Sequence, residues 1–78
     1  MTKVKVFSAN WCPYCIKVKD YLKAKGIQFE EVDLDRNPEA GQELIEISGQ
    51  TGIPVVVIDN KVIIGFDTRA IDSALEEK

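Results

Sequence analysis

The chain has no histidine and only two cysteines among its 78 residues. A tetrahedral zinc site takes four ligands, usually cysteine or histidine, so one copy of this chain lacks the side chains to build one. There is also no apolar run near the ~20 residues that a membrane-spanning helix needs. The net charge of −3 at pH 7 argues against nucleic acid as a partner. We therefore expect no metal site, no membrane association and no nucleic-acid binding.

Length and cysteine usage limit the architecture and the compartment. The chain is long enough for a single domain over residues 1–78, and its 45% apolar content allows one compact core. The N-terminus lacks the apolar stretch of a signal peptide. The two cysteines are so close in sequence that a disulfide between them would close almost no loop and would add little as a structural framework. We therefore expect a cytoplasmic protein in a reducing environment.

The order of apolar and turn-forming segments predicts seven elements, β-α-β-α-β-β-α. The predicted strands are residues 4–8, 27–34, 54–58 and 61–64. The first helix is predicted to begin at Pro13 and to end at Gly26. Asn37 is the predicted N-cap of the second helix, and Asp67 or Thr68 caps the third. This alternation of strands and helices indicates an α/β domain.

Cys12 and Cys15 stand between the first strand and the first helix, in the sequence Cys-Pro-Tyr-Cys. The thiolate is the nucleophile in thiol chemistry, and a helix N-terminus favours negative charge through its free N–H groups and its dipole. Pro13 fits the first helical turn, where its missing N–H costs no hydrogen bond. The spacing therefore predicts a redox-active dithiol, with Cys12 attacking and Cys15 deeper and less exposed. Two inert buried cysteines are the other interpretation, and the place of the pair at a helix start disfavours it.

The element order and the cysteine pair resemble the thioredoxin fold in its minimal glutaredoxin form. Residues 12–15 carry the Cys-Pro-Tyr-Cys motif of dithiol glutaredoxins, Ile53-Pro54 resembles the segment with the family's cis-proline, and Gly65 matches its glycine before the last helix. The resemblance covers almost the whole chain. It implies a four-stranded mixed sheet flanked by three helices, and a thiol–disulfide oxidoreductase that works as a monomer. It implies no tightly bound cofactor beyond the redox-active disulfide itself, with glutathione as a possible co-substrate.

Two departures from the family pattern concern the electron donor. Many glutathione-using glutaredoxins carry a lysine or arginine three residues before the first cysteine, where this chain has Ala9. They also carry two consecutive glycines before the last helix, where this chain has Gly65-Phe66. The glycine followed by Phe is similar to the hydrogen-donor redoxins that serve ribonucleotide reductase. The resemblance therefore implies disulfide-containing protein substrates and, as reductant, a flavoenzyme of the thioredoxin-reductase type or glutathione.

The remaining candidate residues surround the pair in the resemblance. The predicted substrate-binding residues are Trp11, Pro13, Tyr14, Ile53, Pro54, Gly65, Phe66, Asp67 and Thr68. Several have a second interpretation from the sequence alone: Trp11 as a packing residue, Pro54 as the start of a strand, and Asp67 as a helix cap. Lys17 and Lys19 are predicted to be solvated residues of the first helix, although either is a possible stabiliser of the Cys12 thiolate.

A binding module is the alternative to an enzyme. Glutaredoxin-like proteins can hold an iron–sulfur cluster between two chains together with glutathione. That use needs an open first thiolate and a flexible helix start, and within the family it is seen mainly where the motif lacks proline. Pro13 stiffens this motif, so the sequence favours the oxidoreductase.

Overall fold

A computed structural model describes residues 3–76 as one four-stranded sheet with helices on both faces. The elements are β1 Val4–Ser8, α1 Pro13–Ala24, β2 Glu30–Asp33, α2 Ala40–Ser48, β3 Val55–Ile58, β4 Lys61–Ile64 and α3 Thr68–Glu76. The predicted order and the predicted mixed sheet are confirmed. Within residues 3–76, no helix combines the length and apolar character required to cross a bilayer.

The strand register brings three separate segments of the chain to one end of the sheet. The strands lie in the order β2-β1-β3-β4, with β1 parallel to β2 and antiparallel to β3. Phe7 near the end of β1 pairs with Val55 at the start of β3, which pairs with Ile64 at the end of β4. The loop after β1, the segment before β3 and the turn after β4 therefore meet at the same edge.

The two faces of the sheet support separate apolar clusters because side chains alternate along each strand. Val4 and Val6 of β1 face the layer of α1 and α3, where they pack with Leu22 and Ile71. Phe7 faces the opposite layer and packs with Leu44 of α2. The buried face of α1 holds its N-terminus against the end of β1, so the position of the cysteines follows from the packing.

The second strand is shorter than predicted. It begins at Glu30 rather than at residue 27, because the backbone N–H of Ile27 bonds the Leu22 carbonyl at 2.9 Å and closes the end of α1. Gly26 allows this closure with a φ of +72°, as its place after the helix predicts. Ile27 and Phe29 still pack against the core, but they do so outside the sheet ladder.

The start of the second helix also differs from the prediction. Asn37 is not its N-cap, since α2 begins at Ala40 and the residue before it, Glu39, makes no side-chain cap. The chain enters the helix through a tight turn in which the Asn37 carbonyl accepts from Ala40 at 2.9 Å and the Pro38 carbonyl from Gly41 at 3.1 Å. These i to i+3 bonds satisfy backbone groups that a capping side chain would otherwise serve.

The third strand begins one residue later than predicted, at Val55. Pro54 has no N–H to donate to the ladder, which explains its exclusion from the strand.

Candidate active site

Cys12 lies at the N-cap of α1 with an extended backbone, φ −97° and ψ 109°. Its Sγ accepts a hydrogen bond from the backbone N–H of Cys15 at 3.2 Å, which is the bond that a capping oxygen would accept. Pro13 is the first residue of the helix, as predicted. Both cysteines are free thiols, and Cys12 keeps 5% of its surface exposed. A negative charge on this sulfur would therefore be stabilised by the N-terminus of α1.

Cys15 lies deeper and is fully buried, with 0% of its surface exposed. Burial raises the pKa of the Cys15 thiol to about 12, and the hydrogen bond and charge of Cys12 add to this effect. A backbone hydrogen bond with Ala9 and the charge of Lys19 act in the opposite direction on this pKa. The two thiols therefore differ in environment in the sense that the sequence predicts.

Three polar residues form a cluster on the α1 face of the sheet. Ser8, at the end of β1, is fully buried and donates from Oγ to Oε2 of Glu31 at 3.0 Å. Lys19 of α1 pairs with the same carboxylate oxygen at 2.8 Å. The hydrogen bond from Lys19 is the main cause that lowers the pKa of Glu31, so this carboxylate is ionised at neutral pH. The prediction that Lys19 is merely solvated is therefore wrong: it is ion-paired, and its charge acts on Cys15.

Ile53 and Pro54 are joined by a cis peptide bond, and the register places them at the same end of the sheet as the cysteines. Pro54 is buried, and its carbonyl accepts from the backbone N–H of Gly65 at 2.8 Å. Gly65 has a φ of +84°, which favours glycine there. The backbone N–H and carbonyl of Ile53 form no hydrogen bond with another described residue.

Three aromatic side chains near this end of the sheet are exposed, which is unusual for large apolar groups. Trp11 is 72% exposed, so its interpretation as a packing residue is not supported. Tyr14 is 58% exposed, and Nζ of Lys17 lies 5.1 Å from its ring centre. Phe66 is 36% exposed and rests edge-on against Tyr21 of α1, with ring centres 6.0 Å apart.

Asp67 and Thr68 form the start of α3. Oδ1 of Asp67 accepts from the backbone N–H of Ala70 at 3.1 Å, and the Asp67 carbonyl accepts from Ile71 at 3.0 Å. Asp67 is therefore the N-cap, and Thr68 is the first helical residue.

The sequence did not predict two features of the site. One is the Ser8–Glu31–Lys19 cluster, which joins residues of three elements that only the tertiary packing brings together. The other is Gln50, whose side-chain amide bonds both backbone groups of Gly52 just before Ile53. A glutamine in a loop of small residues, Ser-Gly-Gln-Thr-Gly, is a faint signal for such a local contact.

The mixed sheet, the dithiol at the start of α1 and the cis-proline at the same end of the sheet define a small redoxin of the thioredoxin-like class. The sequence matches the glutaredoxin family over residues 4–63, and the chain belongs to that family. It is 38% identical over 74 residues to a glutaredoxin-like 8.6 kDa protein of the rubredoxin operon in Clostridium pasteurianum, an alignment that covers 95% of this chain and 99% of that protein. Membership of this family supports thiol–disulfide oxidoreductase activity with a redox-active cysteine pair.

Two solved structures extend the comparison to the fold. A glutaredoxin from Archaeoglobus fulgidus superimposes with a TM-score of 0.89 at 25% identity, covering 97% of this chain and 88% of that one. The NrdH-redoxin of Escherichia coli, described as a glutaredoxin-like protein with a thioredoxin-like activity profile, superimposes with a TM-score of 0.79 at 28% identity. That alignment covers 91% of this chain and 92% of the redoxin chain.

Proposed function

We propose that this protein is a dithiol oxidoreductase that reduces protein disulfides or mixed disulfides through Cys12 and Cys15 and passes electrons to a target enzyme. The observation that carries the proposal is the asymmetry of the two thiols. The Cys12 sulfur receives an N–H at the start of α1, whereas Cys15 is fully buried with a pKa of about 12. The thiol at the helix start is suited to make the first attack, and the buried thiol is suited to remain protonated until the second step.

The first step is attack by the Cys12 thiolate on one sulfur of the target disulfide. A bond forms between Sγ of Cys12 and that sulfur, and the second target sulfur leaves as a thiolate that takes up a proton. In the resulting mixed disulfide, the Cys12 sulfur carries no charge. Bonded to the target sulfur, it is now an electrophile that a second thiolate can attack, with the target sulfur as the leaving group.

The second step is attack by Cys15 on the Cys12 sulfur. Two of the effects that raise the Cys15 pKa come from Cys12, its hydrogen bond and its charge, and the charge is lost once Cys12 is in a mixed disulfide. The Cys15 proton therefore becomes easier to remove at the stage where its thiolate is needed. The Cys12–Cys15 disulfide forms, and the remaining target sulfur leaves as a thiol. Two electrons have passed from the dithiol to the target disulfide.

The surface around Cys12 is suited to an extended substrate. The unpaired N–H and carbonyl of Ile53 can bond a substrate main chain as a neighbouring strand would. Trp11, Tyr14 and Phe66 supply exposed aromatic surface of the kind enriched at protein interfaces. Asp67 and Thr68, at the N-terminus of α3, add polar groups that can hydrogen-bond a substrate.

For the electron donor, we propose a flavoenzyme of the thioredoxin-reductase type rather than glutathione. Ala9 is 2% exposed and offers no cation for a glutathione carboxylate. Phe66 fills, with a ring held against Tyr21, the position where glutathione-using relatives carry a second glycine. The thioredoxin-like activity profile described for the Escherichia coli redoxin supports the same choice.

The test is to supply the oxidised protein with either donor system and follow NADPH oxidation in the presence of a protein disulfide. One arm contains thioredoxin reductase, and the other contains glutathione with glutathione reductase. We expect faster turnover in the first arm. Phe66→Gly is the matched variant, and we expect it to raise the rate of the glutathione arm relative to that of the thioredoxin-reductase arm. Rapid reduction of the unaltered protein by glutathione, with no gain from Phe66→Gly, would contradict the choice of donor.

A further inference from the structure

The loop between α2 and β3 is held by a side chain that has no part in the steps above. Oε1 of Gln50 accepts from the backbone N–H of Gly52 at 2.6 Å, and Nε2 of Gln50 donates to the Gly52 carbonyl at 3.0 Å. One side-chain amide thus pairs with both backbone polar groups of a single residue. Gly52 directly precedes Ile53, so this contact, the Gln50 clamp, fixes the chain at the point where the Ile53 backbone begins.

The clamp is anchored to the core through α2. Oγ of Ser48 donates to the carbonyl of the buried Leu44 at 2.7 Å, and the backbone N–H and Nε2 of Gln50 each lie 3.4 Å from the same Oγ. A continuous series of hydrogen bonds therefore links the main chain of α2 to Gly52. These bonds restrain the conformation of the loop before Ile53.

The absence of a side chain at Gly52 is a condition for this contact. A Cβ added there would lie 2.6 Å from Oε1 of Gln50, closer than real Cβ contacts allow. Gly52 does not have the positive φ that would require glycine for conformational reasons. The structural reason for glycine at this position is therefore the space that the Gln50 amide occupies.

We propose that Gln50 is a positioning residue that, by clamping Gly52, presents the free N–H and carbonyl of Ile53 to the backbone of an extended disulfide substrate. The inference rests on the proposed function and adds a determinant of substrate binding to it. Because the loop before Ile53 is already ordered, the free energy of substrate binding does not include the entropy cost of ordering it. The clamp acts on main-chain recognition and not on the sulfur chemistry of Cys12.

The experiment compares two disulfides that differ in main chain. One is a short peptide whose central cysteine is in a mixed disulfide with a thiol dye, and the other is 5,5′-dithiobis(2-nitrobenzoate), which has no peptide backbone. For Gln50→Ala we expect the KM for the peptide to rise about fivefold with kcat unchanged, the size expected for one lost net hydrogen bond. The reaction with the small disulfide keeps its rate. Gln42→Ala, an exposed glutamine on α2, is the matched control and changes neither.

A second variant tests the clamp from its other side. Gly52→Ala should also raise the KM for the peptide, because its Cβ displaces the Gln50 amide. In the Gln50→Ala background the same substitution should add little, since the group that it displaces is already gone. Additive effects of the two substitutions would overturn the inference, as would an unchanged KM in Gln50→Ala or an equal slowing with both disulfides. A wild-type protein inactive toward both disulfides would overturn the proposed function itself, and this inference with it.

Discussion

The two sulfur atoms of the site are three positions apart in sequence and yet differ in what surrounds them. Cys12 lies where a helix offers free N–H groups to the surface, and Cys15 lies one turn further into the same helix, under complete burial. The difference arises because the helix buries one face, and the spacing of the pair puts the second cysteine on that face. At the scale of the residue, the site therefore combines a thiol at the N-terminus of α1 with a thiol on the buried face of the same helix.

The first prediction concerns this difference. Cys12→Ser should abolish the reduction of both protein disulfides and glutathionylated targets, because it removes the thiol at the start of α1 that makes the first attack. Cys15→Ser should abolish the reduction of protein disulfides but keep part of the activity on glutathionylated targets, where free glutathione can resolve the mixed disulfide. Initial rates on the two substrates measure this directly. Substantial dithiol activity in Cys12→Ser would contradict the assignment of roles.

The environment of Lys19 is one that the sequence did not predict. Its position on α1 suggested a solvated cation, but it is ion-paired to Glu31 of β2 at 2.8 Å. The pairing depends on the parallel packing of β1 and β2 beneath the helix, which the local sequence does not encode. The sequence limited the cap of α3 to Asp67 or Thr68, because a capping bond spans only about three residues, and the structure selects Asp67.

At the scale of the element, α3 is the helix that holds the turn carrying Gly65 and Phe66. Its N-terminus is closed by the Asp67 side chain, and its buried face packs on the sheet through Ile71 and Ala74. A loosened first turn would therefore move the residues that precede it.

The second prediction concerns that cap. Asp67→Ala should lower the free energy of unfolding by about 1 kcal/mol, because the Ala70 N–H loses its acceptor and the helix dipole loses a nearby negative charge. Chemical denaturation of the two proteins measures the difference. Asp67→Asn keeps the Oδ1 acceptor and serves as the control, so it should recover most of the loss. Equal stability of Asp67→Ala and the parent would show that the cap contributes nothing.

At the scale of the whole molecule, a surface cluster joins the first helix to the last. The hydroxyl of Tyr21 donates to Oδ1 of Asp72 at 2.6 Å, and Nζ of Lys25 lies 3.2 Å from the same oxygen. The hydrogen bond to Asp72 is the main cause that raises the pKa of both Tyr21 and Lys25. The hydrogen bond from Tyr21 is, in turn, the main cause that lowers the pKa of Asp72.

The third prediction follows from the signs of these shifts. The lowered pKa of Asp72 means that its contribution to stability is present above the pKa of an unfolded aspartate, about 3.9, and is lost as the pH falls through the folded value. The raised pKa of Tyr21 means that its contribution is present below the unfolded value, about 10, and is lost as the pH rises through the folded one. The cluster therefore stabilises the fold between these two limits.

Asp72→Asn should lower the melting temperature at neutral pH, and the difference from the parent should shrink as the pH falls through the lowered folded-state pKa of Asp72, below which this carboxyl is protonated in both states. Melting curves across the acid range measure this convergence. Asp20→Asn removes an exposed carboxylate of α1 outside this cluster and is the matched control. A constant difference for Asp72→Asn across the acid range would contradict the role given to the cluster.

Signals between residues close together in the sequence determined much of the secondary structure of this protein. The helix start at Pro13, the glycine Gly26 that follows the end of α1, and the bounds of β1 and β4 agree with the prediction. Each depends on a residue that restricts its own backbone or on an alternation that repeats within a few positions, so the cause and the effect are close in the chain. The order of elements and the dithiol follow from such local signals.

Tertiary structure alone decided the features that depend on distant partners. The bond between Ile53 and Pro54 is cis, a state that sequence could only suggest through resemblance. The cluster of Ser8 with Glu31 joins residues 23 positions apart, and the Tyr21–Asp72 bond joins residues 51 positions apart. Such contacts form because the packing of helices on a twisted sheet fixes which side chains meet, and no local pattern carries that information.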